Sequence, residues 1–208
     1  MSDVAFAIDG AGVLEHAAAP TLRFDVRLES PADIRSVSLN VEIRIAATRR
    51  AYAEQEQAGL VELFGRPEEW GRNLHALHWT TLSATVPAFS GQTVLELKVP
   101  CSYDVEVAGA RYMNALADGH IPLEFLFSGA VFYVTEGRLQ VGRIGWDQEV
   151  DFKLPVALWR EALDRHFPGA AWLRLDRASY ERLAAYKARH TLLTWERTVN
   201  ALLSEAAD

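Results

Sequence analysis

Two stretches near the start of the chain alternate strictly, and that pattern commits a segment to a sheet with one buried face. Leu22, Phe24, Val26 and Leu28 are separated by Arg23, Asp25 and Arg27. Val37, Leu39, Val41, Ile43 and Ile45 are separated by Ser38, Asn40, Glu42 and Arg44. A period of two sends every apolar side chain to one face and every polar one to the other. Ser30-Pro31-Ala32-Asp33 between them reads as a turn, so the two segments are expected to pair as an antiparallel hairpin. Strand patterning returns at Leu95 to Val99 and at Tyr103 to Val107. It continues through the nearly all-apolar run Ile121 to Phe127, then Val131 to Val134, Leu139 to Val141 and Val150 to Leu154. A continuous apolar run suggests a strand covered on both faces.

Helical spacing interrupts and then replaces this pattern. Ala53 to Phe64 predicts a short helix stopped by Gly65 and Pro67, and Ala108 to Ala117 a second one. The stretch 53–78 is too long for a hairpin loop and reads as an ordered insertion, a place where binding function often sits. From Pro155 the spacing turns helical: Leu158, Trp159, Ala162 and Leu163, then Tyr180, Leu183 and Ala184. Trp195, Val199, Leu202 and Leu203 finally form an amphipathic stripe. The expectation is an α+β protein with an antiparallel β-rich body of about seven or eight strands over 1–154. One or two short helices are inserted, and a helical segment over 155–208 packs on the body.

Composition removes several classes of function. The net charge is −7, carried by the first 155 residues, which argues against nucleic acid because backbone binding needs a basic face. One cysteine among 208 residues excludes an internal disulfide framework and a Cys-rich zinc site. The run Ile121 to Val134 contains Glu124 and is too short to span a bilayer, and the N-terminus carries Asp3 and Asp9 where a secretory signal carries basic residues. No membrane insertion is expected, and the cytoplasm is the expected compartment.

The residues that could carry chemistry are few. His75 and His78 are three apart, a spacing that lets both rings reach one metal from a helix. No third ligand of obvious spacing follows, so no metal centre and no cofactor are expected, and the pair remains the weak candidate. Cys101 follows a strand, where a buried thiol is the plain expectation; a nucleophile would need a nearby base. Gly10-Ala11-Gly12 lacks the third glycine of a dinucleotide loop, and Ser90 and Ser128 lie outside any nucleophile elbow. Glu54, Glu56, Glu62, Glu68 and Glu69 read as a solvated charge run rather than an acid/base pair. Phe64 and Trp70, in the insertion, are either core anchors or hot spots for a partner. No catalytic signature emerges.

Leu63-Phe64-Gly65-x-Pro67-x-x-Trp70-Gly71, Leu77-x-Trp79-Thr80, Val99-Pro100-Cys101-x-Tyr103-Asp104, Leu126-Phe127-Ser128-Gly129, Leu154-Pro155-Val156, Trp159-Arg160 and Thr194-Trp195 together resemble an uncharacterised family of small actinobacterial proteins. Its members are often encoded near [NiFe]-hydrogenase genes, which implies a role in hydrogenase assembly, maturation or support. A weaker similarity of architecture is to the export chaperone SecB, through the helix 108–117 leading into Gly119-x-Ile121-Pro122-Leu123. The reading that follows is a non-catalytic accessory or binding protein. Its partner is another protein, a hydrogenase subunit or maturation factor by the resemblance, with self-association open. The alternative is a small-ligand binder or enzyme with a cleft near Cys101, where Tyr103, His75 and His78 would contribute.

Overall fold

The computed structural model describes residues 4–101, 107–145, 148–169 and 174–206. Among these the chain forms seven strands and six α-helices. The order is β1 (Ala5–Val13), β2 (Thr21–Ile45), α1 (Glu54–Phe64), α2 (Trp70–Asn73), β3 (Leu77–Val86), β4 (Phe89–Pro100), α3 (Ala108–Ala115), β5 (His120–Thr135), β6 (Arg138–Ile144), β7 (Glu149–Pro155), α4 (Val156–Asp164), α5 (Arg177–Arg189) and α6 (Trp195–Glu205). All strand pairings are antiparallel, and the protein is α+β with a helical C-terminal part. It divides into two compact units, 1–172 and 173–208.

The alternating segments 22–28 and 37–45 do not pair with each other. They are the two halves of β2, a single strand of 25 residues. The first half lies between β1 and β4, with Val26 opposite both Ile8 and Leu95. The second lies between β3 and β5, with Val41 opposite both Leu82 and Phe127. Ser30-Pro31-Ala32-Asp33 bends the strand instead of reversing it. Pro31 has no N–H for a ladder, Ser30 Oγ accepts from the Ala32 N–H at 3.2 Å, and the register against β4 jumps from Ser30–Gly91 to Ile34–Phe89. A second irregularity against β5 shifts the inward set from even residues up to Ile34 to odd residues from Val37. The bend folds one half of the sheet onto the other. Phe24 on the first half meets Phe125, Phe152 and Trp79 edge-on at 5.1, 5.8 and 6.4 Å, and Phe6 stacks on Phe127 at 4.3 Å. Full burial of one such ring contributes roughly 2–3 kcal/mol.

β5 is the second long strand, and two partners share its outer edge: β7 along Ile121–Leu126 and β6 along Gly129–Thr135. Gly129, at the junction, has φ of 142°, and a Cβ there would stand 2.0 Å from the Ser38 carbonyl oxygen. Only glycine lets β5 pass β2 this closely. Gly10 and Gly12 lie within strand β1, so the glycine pair makes no phosphate loop.

The insertion supplies α1, capped at its C-terminus by Gly65 with φ of 75°, as the sequence predicts. α1 packs on α3, and Leu60, Phe64, Tyr112, Met113 and Leu116 extend the core between them. α4 starts after Pro155 and packs on β1, β2 and β7. Trp159 is fully buried there, and its indole N–H donates to Asn114 Oδ1 at 2.8 Å. In the second unit α5 and α6 form a helical hairpin. Asp176 caps α5 by accepting from the Ser179 N–H, and Thr194 caps α6 by accepting from the Arg197 N–H.

Candidate functional site

The residues expected to carry chemistry do not converge. Cys101 is buried at the end of β4, and its thiol leans on the Val99 carbonyl at 3.5 Å. Burial pushes the thiol up to about 12, far from the depressed value that a nucleophile needs. A cleft chemistry centred on this sulfur is therefore not supported. Tyr103, its expected companion, lies outside the described residues.

His75 and His78 are both exposed, and their rings have local partners. His75 Nδ1 lies 2.6 Å from the Asn73 carbonyl oxygen and its ring sits edge-on to Phe64. His78, on β3, places Nε2 3.0 Å from Thr81 Oγ1. The expected helical spacing is absent, because α2 ends at Asn73 and His78 already belongs to a strand. Among the described residues neither joins a group of three metal-ligating side chains.

Phe64 is 2% exposed, ringed edge-on by Trp70, His75 and Tyr112 at 6.3, 5.7 and 6.4 Å. It is a core anchor, so its side chain offers no surface to a partner. Trp70 is half-buried, with its indole N–H donating to the Gly65 carbonyl at 3.0 Å and Tyr52 packed edge-on at 5.3 Å.

Beneath these rings lies a polar cluster that the sequence did not announce. Glu56, read as part of a solvated charge run, is buried. Its carboxylate accepts from Arg50 Nη2 at 2.8 and 2.9 Å, from the Ala53 N–H at 3.0 Å and from the Ala117 N–H at 2.8 Å. Burial opposes ionisation, but the two amides and the guanidinium outweigh it and hold the carboxyl below its ordinary range. Arg50 also donates from Nη1 to the His120 carbonyl at 2.7 Å. Next to it the Tyr52 hydroxyl donates to the Ala47 carbonyl at 2.5 Å and accepts from Tyr112 at 2.7 Å. Burial raises both phenols, and the donated hydrogen bond raises Tyr112 further. Each group is satisfied from within the chain, and the cluster ties the insertion to α3 and to the start of β5. The signal in the sequence was slight: a Glu three residues after the Ala53 N-cap, preceded by Arg49-Arg50.

A second cluster lies on the surface. Glu124, Glu149 and Asp151 bring carboxylate oxygens within 4.8 Å of one another across β5 and β7, a set that resembles a cation site. Arg49 already occupies it, with Nη2 at 2.8 Å from Glu124 and 3.4 Å from Glu149 and with Nη1 on Asp151. The cationic partner is supplied by the chain itself.

What the surface does offer is apolar. On the helical hairpin Leu193, Trp195, Val199 and Leu203 are exposed, Leu203 to 64%, and Trp195 holds contacts to Tyr180 at 5.6 Å and to the Lys187 ammonium at 5.4 Å. Of the stripe read from the sequence, Trp195, Val199 and Leu203 are exposed on the hairpin and Leu202 is half-buried. On the sheet, Leu139 and Val141 of β6 are 63% and 61% exposed. No helix among the described residues is long and apolar enough to cross a membrane.

No curated protein matches the chain significantly. Among solved structures it is similar to a β-glucosidase from Kluyveromyces marxianus at 10% identity, covering 73% of this chain and 15% of that one with a TM-score of 0.29. It is likewise similar to β-glucosidase 3B from Thermotoga neapolitana in complex with α-D-glucose, at 12% identity, 73% and 17% coverage and a TM-score of 0.27. The chain spans about a sixth of the length of these enzymes, and similarity this low carries neither fold nor function across. The model of one family of unknown function, DUF6084, matches residues 1–208, and the chain belongs to that family.

Proposed function

We propose that this protein is a non-catalytic accessory protein that acts by contact with another polypeptide. The observation that carries the reading is the apolar stripe of α6, where the exposed Trp195, Val199 and Leu203 lie on one side of a capped, amphipathic helix. A helix face of that kind suits docking into an apolar groove through anchors at i, i+4 and i+8. The satisfied state of Cys101, of the Arg50–Glu56 cluster and of the Arg49 clamp adds support, since none of these groups is left poised for a reaction.

The resemblance to an actinobacterial, hydrogenase-linked family gives the finer form of the proposal: a cytoplasmic partner that is a [NiFe]-hydrogenase subunit or maturation factor. The test is affinity purification of the tagged protein from its native host, in parallel with Val199→Glu and Leu203→Glu. Both positions are exposed, so folding is expected to survive. The expected result is a near-stoichiometric hydrogenase subunit or maturation factor with the parent chain and its loss with both variants. A stoichiometric partner of another class would remove the hydrogenase role and leave the contact role standing. A parent chain that retains no partner would overturn both.

A further inference from the structure

β6 is the most exposed strand of the sheet, and among the described residues it pairs with β5 alone, which leaves the backbone groups of its outer edge without a strand partner there. Such an edge is a template for another strand, and proteins ordinarily blunt it with charge, proline or a bulge. β7, which shares the same side of β5, shows that protection: Glu149, Asp151 and Lys153 alternate along it. β6 has no proline or lysine; its two charges, Arg138 and Arg143, stand towards its ends, with the exposed Leu139 and Val141 between them.

The register decides which partner fits. β5 and β6 are joined by Glu136-Gly137, both with positive φ (54° and 73°), a two-residue turn closed at the Thr135–Arg138 pair. In such a hairpin the closing pair exchanges both hydrogen bonds, and the pattern alternates from there. Arg138, Gln140 and Gly142 therefore spend their backbone groups on β5. Leu139, Val141 and Arg143 point theirs outward.

We propose that two copies of this chain pair antiparallel through β6, with the dyad at Gln140. In that register Leu139 faces the partner's Val141 and Val141 faces the partner's Leu139. Both pairs are of the outward-pointing kind, so four backbone hydrogen bonds form. Arg138 falls opposite Gly142 and Arg143 opposite Gly137, next to the partner's Glu136, so no like charges meet. On the outer face, Phe132 and Val134 of β5 are opposite Val141 and Leu139. The pairing joins these into one apolar band of eight side chains across the two copies. A strand turned upon itself is the occupant for which this edge is complementary in hydrogen bonding, apolarity and charge together. An interface of one seven-residue strand falls below the roughly 1,200 Å² of standard complexes, so association is expected to be weak, with a Kd on the order of 10–100 µM.

The test combines sedimentation equilibrium of the full chain across that range with two kinds of variant. Val141→Pro removes an outward N–H and leaves the β5 ladder intact, and is expected to give a monomer at every concentration. Gln140→Cys places two thiols across the dyad at a non-hydrogen-bonded pair, about 4.5 Å apart at Cα, within disulfide reach. It is expected to cross-link on mild oxidation. Arg138→Cys, displaced four residues from its mate, is not. A parent chain that stays monomeric throughout, a dimer that persists in Val141→Pro, or equal cross-linking of both cysteines would each overturn the proposal. These residues are distinct from the α6 stripe, so the two readings fail separately.

Discussion

Arg49 and Arg50 are neighbours in the chain and opposites in energetics. The Arg49 side chain is 44% exposed and bridges three carboxylates on the surface of β5 and β7. The Arg50 side chain is 10% exposed and closes on Glu56, itself 4% exposed, inside the insertion. The surface clamp works in a high-dielectric setting where each pair contributes little and salt screens it. The interior pair has lost most of its hydration and depends on every lone pair and proton finding a partner. More charges meet at Arg49, yet Arg50 is the arginine whose pairing is expected to weigh more in the fold. The number of contacts is a poor guide to their weight, and burial is a better one.

Breaking the interior pair should have the largest effect. Glu56→Gln leaves the Arg50 cation buried without its counter-charge, and a loss of about 3–5 kcal/mol is expected in urea unfolding. Adding Arg50→Met should recover part of it by removing the stranded charge. The pH dependence follows from the lowered Glu56 value. The carboxylate contributes fully above its unfolded value of about 4.3, and that contribution is lost as pH falls through the lower folded value. The parent chain should therefore lose stability steeply in acid, and Glu56→Gln should flatten that limb. An unchanged acid limb would place the charge balance elsewhere.

An intermediate effect is expected at the phenol pair. Tyr112→Phe removes a donor but leaves Tyr52 bonded to the Ala47 carbonyl, so a cost of about 1 kcal/mol should appear in the same assay. The smallest belongs to the surface. Arg49→Ala should cost less than about 1 kcal/mol at low salt, and nothing measurable in 1 M salt, where the screening length is about 3 Å. If Arg49→Ala cost as much as Glu56→Gln, the contrast between the two arginines would be wrong.

Fold class was legible because alternation and helical spacing are local signals. The residues that alternate over 22–28 and 37–45 do line the core, the helix stop at Gly65 is where spacing placed it, and α4 begins after Pro155. The hairpin was misread for a physical reason: Ser-Pro-Ala-Asp serves a turn or a bend equally well, and only the strands on either side choose. From sequence alone no strand is assigned at β1, whose Ala and Gly residues lack strand propensity. Pairing with β2 overrides that. At the candidate site, Cys101 and Phe64 were rightly seen as candidates for burial. Glu56 was not, since its partners at Arg50, Ala53 and Ala117 are spread over 67 residues of chain and meet only when α1 and α3 pack.

The sequence by itself determined the strand and helix periods, the inward face of the alternating segments, the helix stops and the absence of familiar catalytic motifs, because each depends on neighbours within a turn or two. Tertiary structure decided what those elements do. It bent one long strand where a turn was equally available, and it made a charged residue internal. It also left Leu139 and Val141 of β6, and Leu203 of α6, exposed. Those outcomes depend on which surfaces distant segments bring against one another, and no local pattern encodes them.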